Sequence, residues 1–106
     1  MSKPPKFYAR FKDDYPEVAS AYESLGDETR DAGPLSPAQS ALVKLALASG
    51  ARIEGAVHSH VRRALDAGVS PEEIRHVPLL AITTLGFPTA MKIRALIEDV
   101  LDPQSK

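Results

Sequence analysis

Three histidines, His58, His60 and His76, are the side chains of this sequence whose unperturbed titration falls near neutral pH. There is no cysteine, which excludes disulfides, thiolate nucleophiles and thiolate metal sites together. His58 and His60 stand two positions apart in a helical segment, about 200° around the axis from each other, so they do not share a ligand. His58 shares a face with Glu54 and Arg62, four residues to either side, and is expected on a solvated, charged surface. His60 falls in the stripe Ile53, Val57, Val61, Ala64, the face expected to pack inward. An imidazole there needs a hydrogen-bond partner, or it costs on the order of 1–3 kcal/mol. Two readings follow for it. One is a satisfied core or interface histidine; the other is a general acid/base in a partly buried pocket, where desolvation lowers its pKa. His76 reads as ordinary surface.

Around the histidines are groups that suit a carboxylated ligand. Arg52, Arg62 and Arg63 each offer a guanidinium, which pairs with a carboxylate through two parallel hydrogen bonds. Glu54, six residues before His60, is a further acid/base candidate, although that spacing puts it on a different helix face. A metal site from Glu54, His58, His60 and His76 lacks the i, i+4 histidine pair and glutamate of a zinc helix. No glycine-rich phosphate loop or nucleophile elbow is present. Neither a metal nor a cofactor is expected.

The elements that must position these residues are all helical, and strand patterning is absent. Residues 1–14, with Pro4-Pro5 and mixed charge, read as an irregular lead-in, residues 15–101 as a single domain and 102–106 as a tail. A first helix starts near Tyr15-Pro16, proline suiting the first helical position, presents Val18, Tyr22 and Leu25, and ends by Gly33-Pro34. Ser36-Pro37-Ala38-Gln39 is a capping box, and the helix it opens is apolar almost all round from Ala41 to Ala48. In so short a chain, some of that surface is expected to be buried by a partner subunit. A third helix runs from about Ile53 to Ala67, with Gly68 as its left-handed cap. Ser70-Pro71-Glu72-Glu73 is a second capping box, opening a helix that Pro78 should kink. Gly86-Phe87-Pro88 breaks the chain before a fifth helix, which Asp102-Pro103 ends. Asp31-Ala32-Gly33 with Ser36-Pro37 echoes Asp66-Ala67-Gly68 with Ser70-Pro71. Two copies are too few for a solenoid, so the echo reads as one helix-stop, helix-start device used twice.

Composition narrows the partners. Charged residues are 25% and apolar residues 43% of 106, with a net charge of −1. That balance carries no electrostatic footprint for nucleic acid or an acidic membrane surface. Lys3, Lys6, Arg10 and Lys12 read as a solvated arm. No segment approaches the roughly 18 apolar residues of a membrane span, and the start lacks the apolar stretch of a secretion signal. The expected location is the cytoplasm.

From residue 35 to about 97 a family outline emerges. Leu35-Ser36-Pro37 leads into the apolar helix. His60-Val61-Arg62-Arg63-Ala64-Leu65-Asp66-Ala67-Gly68 gives H-x-x-x-A-x-x-x-G, Ser70 to Ile74 gives S-x-E-E-I, and Gly86-Phe87-Pro88 follows. In that order the pieces resemble the carboxymuconolactone decarboxylase family, which includes the AhpD-like alkylhydroperoxidases. The resemblance implies an AhpD-like subunit of five to six helices, associated with itself as a homotrimer or homohexamer with pockets near subunit contacts. AhpD-like members use a C-x-x-C pair ending four residues before a histidine, with an upstream glutamate, as a redox relay. The histidine corresponds to His60, the cysteines to Ile53 and Ala56, and the glutamate to about Ala41. Hydroperoxide reduction by that route is therefore chemically closed. The decarboxylase-like branch does not depend on the cysteines, and the resemblance to it implies acid/base work by His60 on a small carboxylated molecule, with Glu54, Arg52 and His58 as supporting candidates. The alternative is a non-catalytic ligand-binding or assembly subunit that kept the scaffold. A helical-hairpin interaction module, resting on the internal echo, is a third reading.

Overall fold

The computed structural model describes residues 6–105, and over them the chain is six α-helices followed by one short 3-10 turn. These are α1 (Lys6–Asp14), α2 (Pro16–Asp31), α3 (Pro37–Ala51), α4 (Glu54–Asp66), α5 (Pro71–Leu85) and α6 (Phe87–Leu101). No strand occurs among the described residues, so the all-α expectation holds. No helix is long and apolar enough to cross a membrane among those residues.

Local chemistry sets most helix starts. In both capping boxes the serine hydroxyl accepts the backbone N–H three residues on, from Gln39 at 3.1 Å and from Glu73 at 3.1 Å. The Gln39 and Glu73 side chains reciprocate by accepting the Ser36 and Ser70 N–H groups, each at 2.9 Å. Each box satisfies two donors that a helix start otherwise leaves orphaned. The Glu73 carboxyl is held below its ordinary pKa by the hydrogen bonds it takes from Ser70. At the other ends, Gly68 (φ +89°) and Gly86 (φ +96°) take backbone conformations that a side chain resists. Arg52 takes φ +60° between α3 and α4, the one described non-glycine residue with positive φ.

The core lies among α3 to α6. Leu45 from α3, Val57, Val61 and Ala64 from α4, Ile74 from α5, and Ala90, Ile93 and Ile97 from α6 are buried to within 2%. Full burial of each such Val, Leu or Ile side chain stabilises the fold by about 1.5–3 kcal/mol. α3 packs along α4, α5 along α6, and α4 across α6. Pro78 is buried within α5, which runs on as one helix. Polar ties link the same elements. Glu98 on α6 receives Arg75 of α5 through two hydrogen bonds, at 2.8 and 3.0 Å, and also Arg94 at 2.9 Å.

Two sequence expectations fail here. Residues 6–14, read as an irregular lead-in, are helical. Tyr8 and Phe11 lay their rings against Tyr22 and Tyr15, with centroids 6.5 and 5.5 Å apart, and the contact holds a helix where composition alone suggested none. Ile53, read as part of the inward stripe, precedes α4 as its N-cap and is 57% exposed, because the stripe begins only at Val57.

Candidate functional site

His60 stands beside the core rather than in it. Val57, Val61 and Ala64 of α4 are fully buried, and His60, at the edge of that face, is half-buried. It lines a cavity of about 430 Å³ between α3 and α4. Pro37, Ala41 and Lys44 form one wall, spaced i, i+4, i+7 on one face of α3. His60, Arg63, Asp66 and Ala67 form the other, and Arg30 at the end of α2 closes a side.

The cavity is cationic. Lys44 and Arg63 face it beside one carboxylate, Asp66, and Arg30 at its side is ion-paired with Asp27. Burial pushes the His60 pKa below its ordinary value, and the charges of Lys44 and Arg63 push it the same way. Its imidazole is therefore neutral at pH 7, an acceptor poised beside fixed positive charge. No side-chain hydrogen bond orients it among the described residues. The field extends to the hairpin of α1 and α2. Tyr8 Oη donates to Glu23 at 2.8 Å and Lys12 Nζ lies 3.2 Å from the same oxygen. Those two hydrogen bonds hold the Glu23 carboxyl below its ordinary pKa, with Arg63 adding to the effect.

The other expected site residues do not join His60. His58 was expected on a solvated face with Glu54 and Arg62. It instead turns to α6, where its Nε2 meets Asp99 Oδ2 at 2.9 Å, and both groups are partly buried. It is a tie between helices. Arg52 and Glu54 line a separate cavity of about 320 Å³ floored by Ile93 and Leu96, which shares no lining residue with the first. There Glu54 pairs with Lys92 at 3.2 Å on an exposed surface. His76 is exposed. No group of three metal-ligating side chains converges among the described residues.

Of the arginines considered from sequence, only Arg63 faces His60. Lys44 and Arg30 were missed. Lys44 carried a signal, being the single charged residue of α3, whereas Arg30 reaches the cavity only through the placement of α2. Ala41, where the resemblance would place the relay glutamate, does line the His60 cavity. Ala56, at the second thiol position, packs against the core.

Comparison with known proteins adds one positive finding. The family model described as "Carboxymuconolactone decarboxylase family" matches residues 16–99. No curated protein and no solved structure matches the chain.

Proposed function

The chain belongs to the carboxymuconolactone decarboxylase family, and from that premise we propose that it performs acid/base chemistry of the lactone-decarboxylation type on a small carboxylated molecule, with His60 as the proton carrier. The observation that carries this reading is the half-buried His60 in a cavity of about 430 Å³ faced by Arg30, Lys44 and Arg63. Lys44 and Arg63, facing the one lining carboxylate of Asp66, favour an anionic occupant, and an arginine fork matches a carboxylate in geometry. A thiol route is closed, since the chain has no cysteine.

The electrostatics give His60 a way to change state on demand. A bound carboxylate offsets the charges of Lys44 and Arg63, so the His60 pKa rises and the ring takes a proton from water. As the bond to the departing carboxylate breaks, CO2 leaves and its electron pair passes into the conjugated carbonyl as an enolate. Lys44 and Arg63 stabilise that charge. The imidazolium then delivers its proton to carbon, and one proton is consumed per CO2 released.

The test is CO2 release from carboxylated γ-lactones together with binding of the same compounds. His60→Gln should lower turnover by roughly 10²–10⁴-fold and leave binding within a few-fold. Lys44→Ala should weaken binding. Undiminished CO2 release by the His60 variant would sink the reading.

One observation favours a second reading, a ligand-binding subunit without catalysis. Among the described residues no side chain hydrogen-bonds His60, and Ile53, Ala56 and Ala41 stand where the family's relay groups would be. That reading predicts binding dependent on Lys44 and Arg63 with no CO2 release from any lactone.

A further inference from the structure

The cavity of about 320 Å³ lies where the end of α3 and the start of α4 meet α6. Its size is at the small end of ligand pockets, which run from roughly 300 to 1,000 Å³. Thr89, Lys92, Ile93 and Leu96 follow each other at i, i+3, i+4 and i+7 and supply one wall from a single face of α6. Ser49 and Arg52 stand opposite, at the last turn and the C-cap of α3.

Floor and mouth differ in chemistry. Ile93 and Leu96 are buried and give the floor its apolar surface. Ser49, 2% exposed, gives its one hydroxyl proton to the Leu45 carbonyl at 2.8 Å. The interior therefore offers no hydrogen to a polar group and suits hydrocarbon. The mouth carries the charge. Lys92 lies 3.2 Å from the Glu54 carboxylate, so these two largely neutralise each other. Arg52 remains. Among the described residues its guanidinium has no ion pair or hydrogen bond, and the half-buried Thr89 hydroxyl has no partner either. An unpaired arginine on open surface is merely solvated; this one stands over an apolar recess with a free hydroxyl across it.

We infer that this recess binds a small amphipathic monocarboxylate, its hydrocarbon body on Ile93 and Leu96 and its carboxylate at Arg52 and Thr89. A guanidinium fork matches a carboxylate through two parallel hydrogen bonds, and the apolar floor disfavours an inorganic anion, which has nothing to place there. The recess shares no lining residue with the His60 cavity, so the inference does not rest on the chemistry assigned to His60.

Titration of the methyl-labelled full chain with octanoate, read by NMR, tests it. The Ile93 and Leu96 methyls should shift saturably, with acetate and octanol each at least about tenfold weaker. Arg52→Gly removes the fork at a position whose φ of +60° glycine takes freely, so the fold is kept. It should weaken octanoate at those methyls at least about tenfold and leave any response of the Ala41 methyl, in the His60 cavity, unchanged. Glu54→Gln provides a gain that loss of folding cannot imitate, since freeing Lys92 should tighten octanoate several-fold. Any of three results overturns the inference: no saturation below about 10 mM, octanol binding as tightly as octanoate, or affinity that neither substitution moves in its stated direction. Octanoate is read here without turnover, so this site can fail while the His60 chemistry stands, and the reverse.

Discussion

The α3–α6 bundle and the α1–α2 hairpin are built from comparable helices, yet the chain treats them in opposite ways. The bundle sends Leu45, Val57, Val61, Ile74, Ile93 and Ile97 into a shared interior. The hairpin buries one residue, Ala19, and leaves Phe7, Tyr15, Val18, Tyr22 and Leu25 more than half exposed. Helical propensity does not separate the two regions. The separation lies in whether the apolar stripe finds a partner within the chain, which it does for the bundle and does not for most of the hairpin. The His60 cavity sits on the border between them, taking Lys44, His60 and Arg63 from the bundle and Arg30 from the hairpin.

That contrast breaks most readily under substitution. Leu45→Ala removes a fully buried side chain and should cost about 2–5 kcal/mol in urea unfolding; a loss below 1 kcal/mol would mean the bundle is not the stability core. Ser36→Ala deletes half of a capping box and should cost about 1 kcal/mol, showing how far local chemistry, as opposed to packing, holds α3. His60 gives an effect of defined sign. Its pKa is depressed in the folded chain by burial and by Lys44 and Arg63, so the unfolded chain binds the proton first as pH falls. Its contribution to stability is fully present above the unfolded value of about 6.5 and is lost as pH drops through the lower folded value. Unfolding of His60→Gln, compared with wild type from pH 7.5 to 5, should therefore show less loss toward acid. The smallest effect belongs to the hairpin. Val18→Ala, at a 57% exposed position, should change unfolding free energy by less than about 0.5 kcal/mol. A core-like penalty at that position would erase the distinction drawn between the regions.

Much of the fold was legible because its signals are local. Ser36-Pro37-Ala38-Gln39 and Ser70-Pro71-Glu72-Glu73 place two helix starts to the residue, and Gly68 and Gly86 mark two ends. The divergence of Glu54 from His60 was also readable, since a six-residue offset turns a helix to another face. What escaped depends on residues distant in sequence. His58 finds Asp99 forty-one positions away, and no helical period predicts that pairing. Lys6–Asp14 packs as a helix where Tyr8 meets the Tyr22 ring on α2, a tertiary contact that Pro4-Pro5 and mixed charge concealed. Arg30 enters the cavity through the placement of a whole helix, which sequence spacing within α2 does not encode.

The order in which the chain is made gives the aromatic seam a further meaning. Synthesis delivers α1 and α2 first, before any residue of the bundle exists. The bundle then closes quickly, because its main pairings join neighbours in sequence, α3 with α4 and α5 with α6. Tyr15, Val18, Tyr22 and Leu25 thus emerge as an apolar seam before the bundle does, and the finished bundle of the same chain still leaves them exposed. The seven carboxylates spread over segment 6–31 are well placed for that interval, repelling like segments on neighbouring ribosomes and keeping the seam in solution.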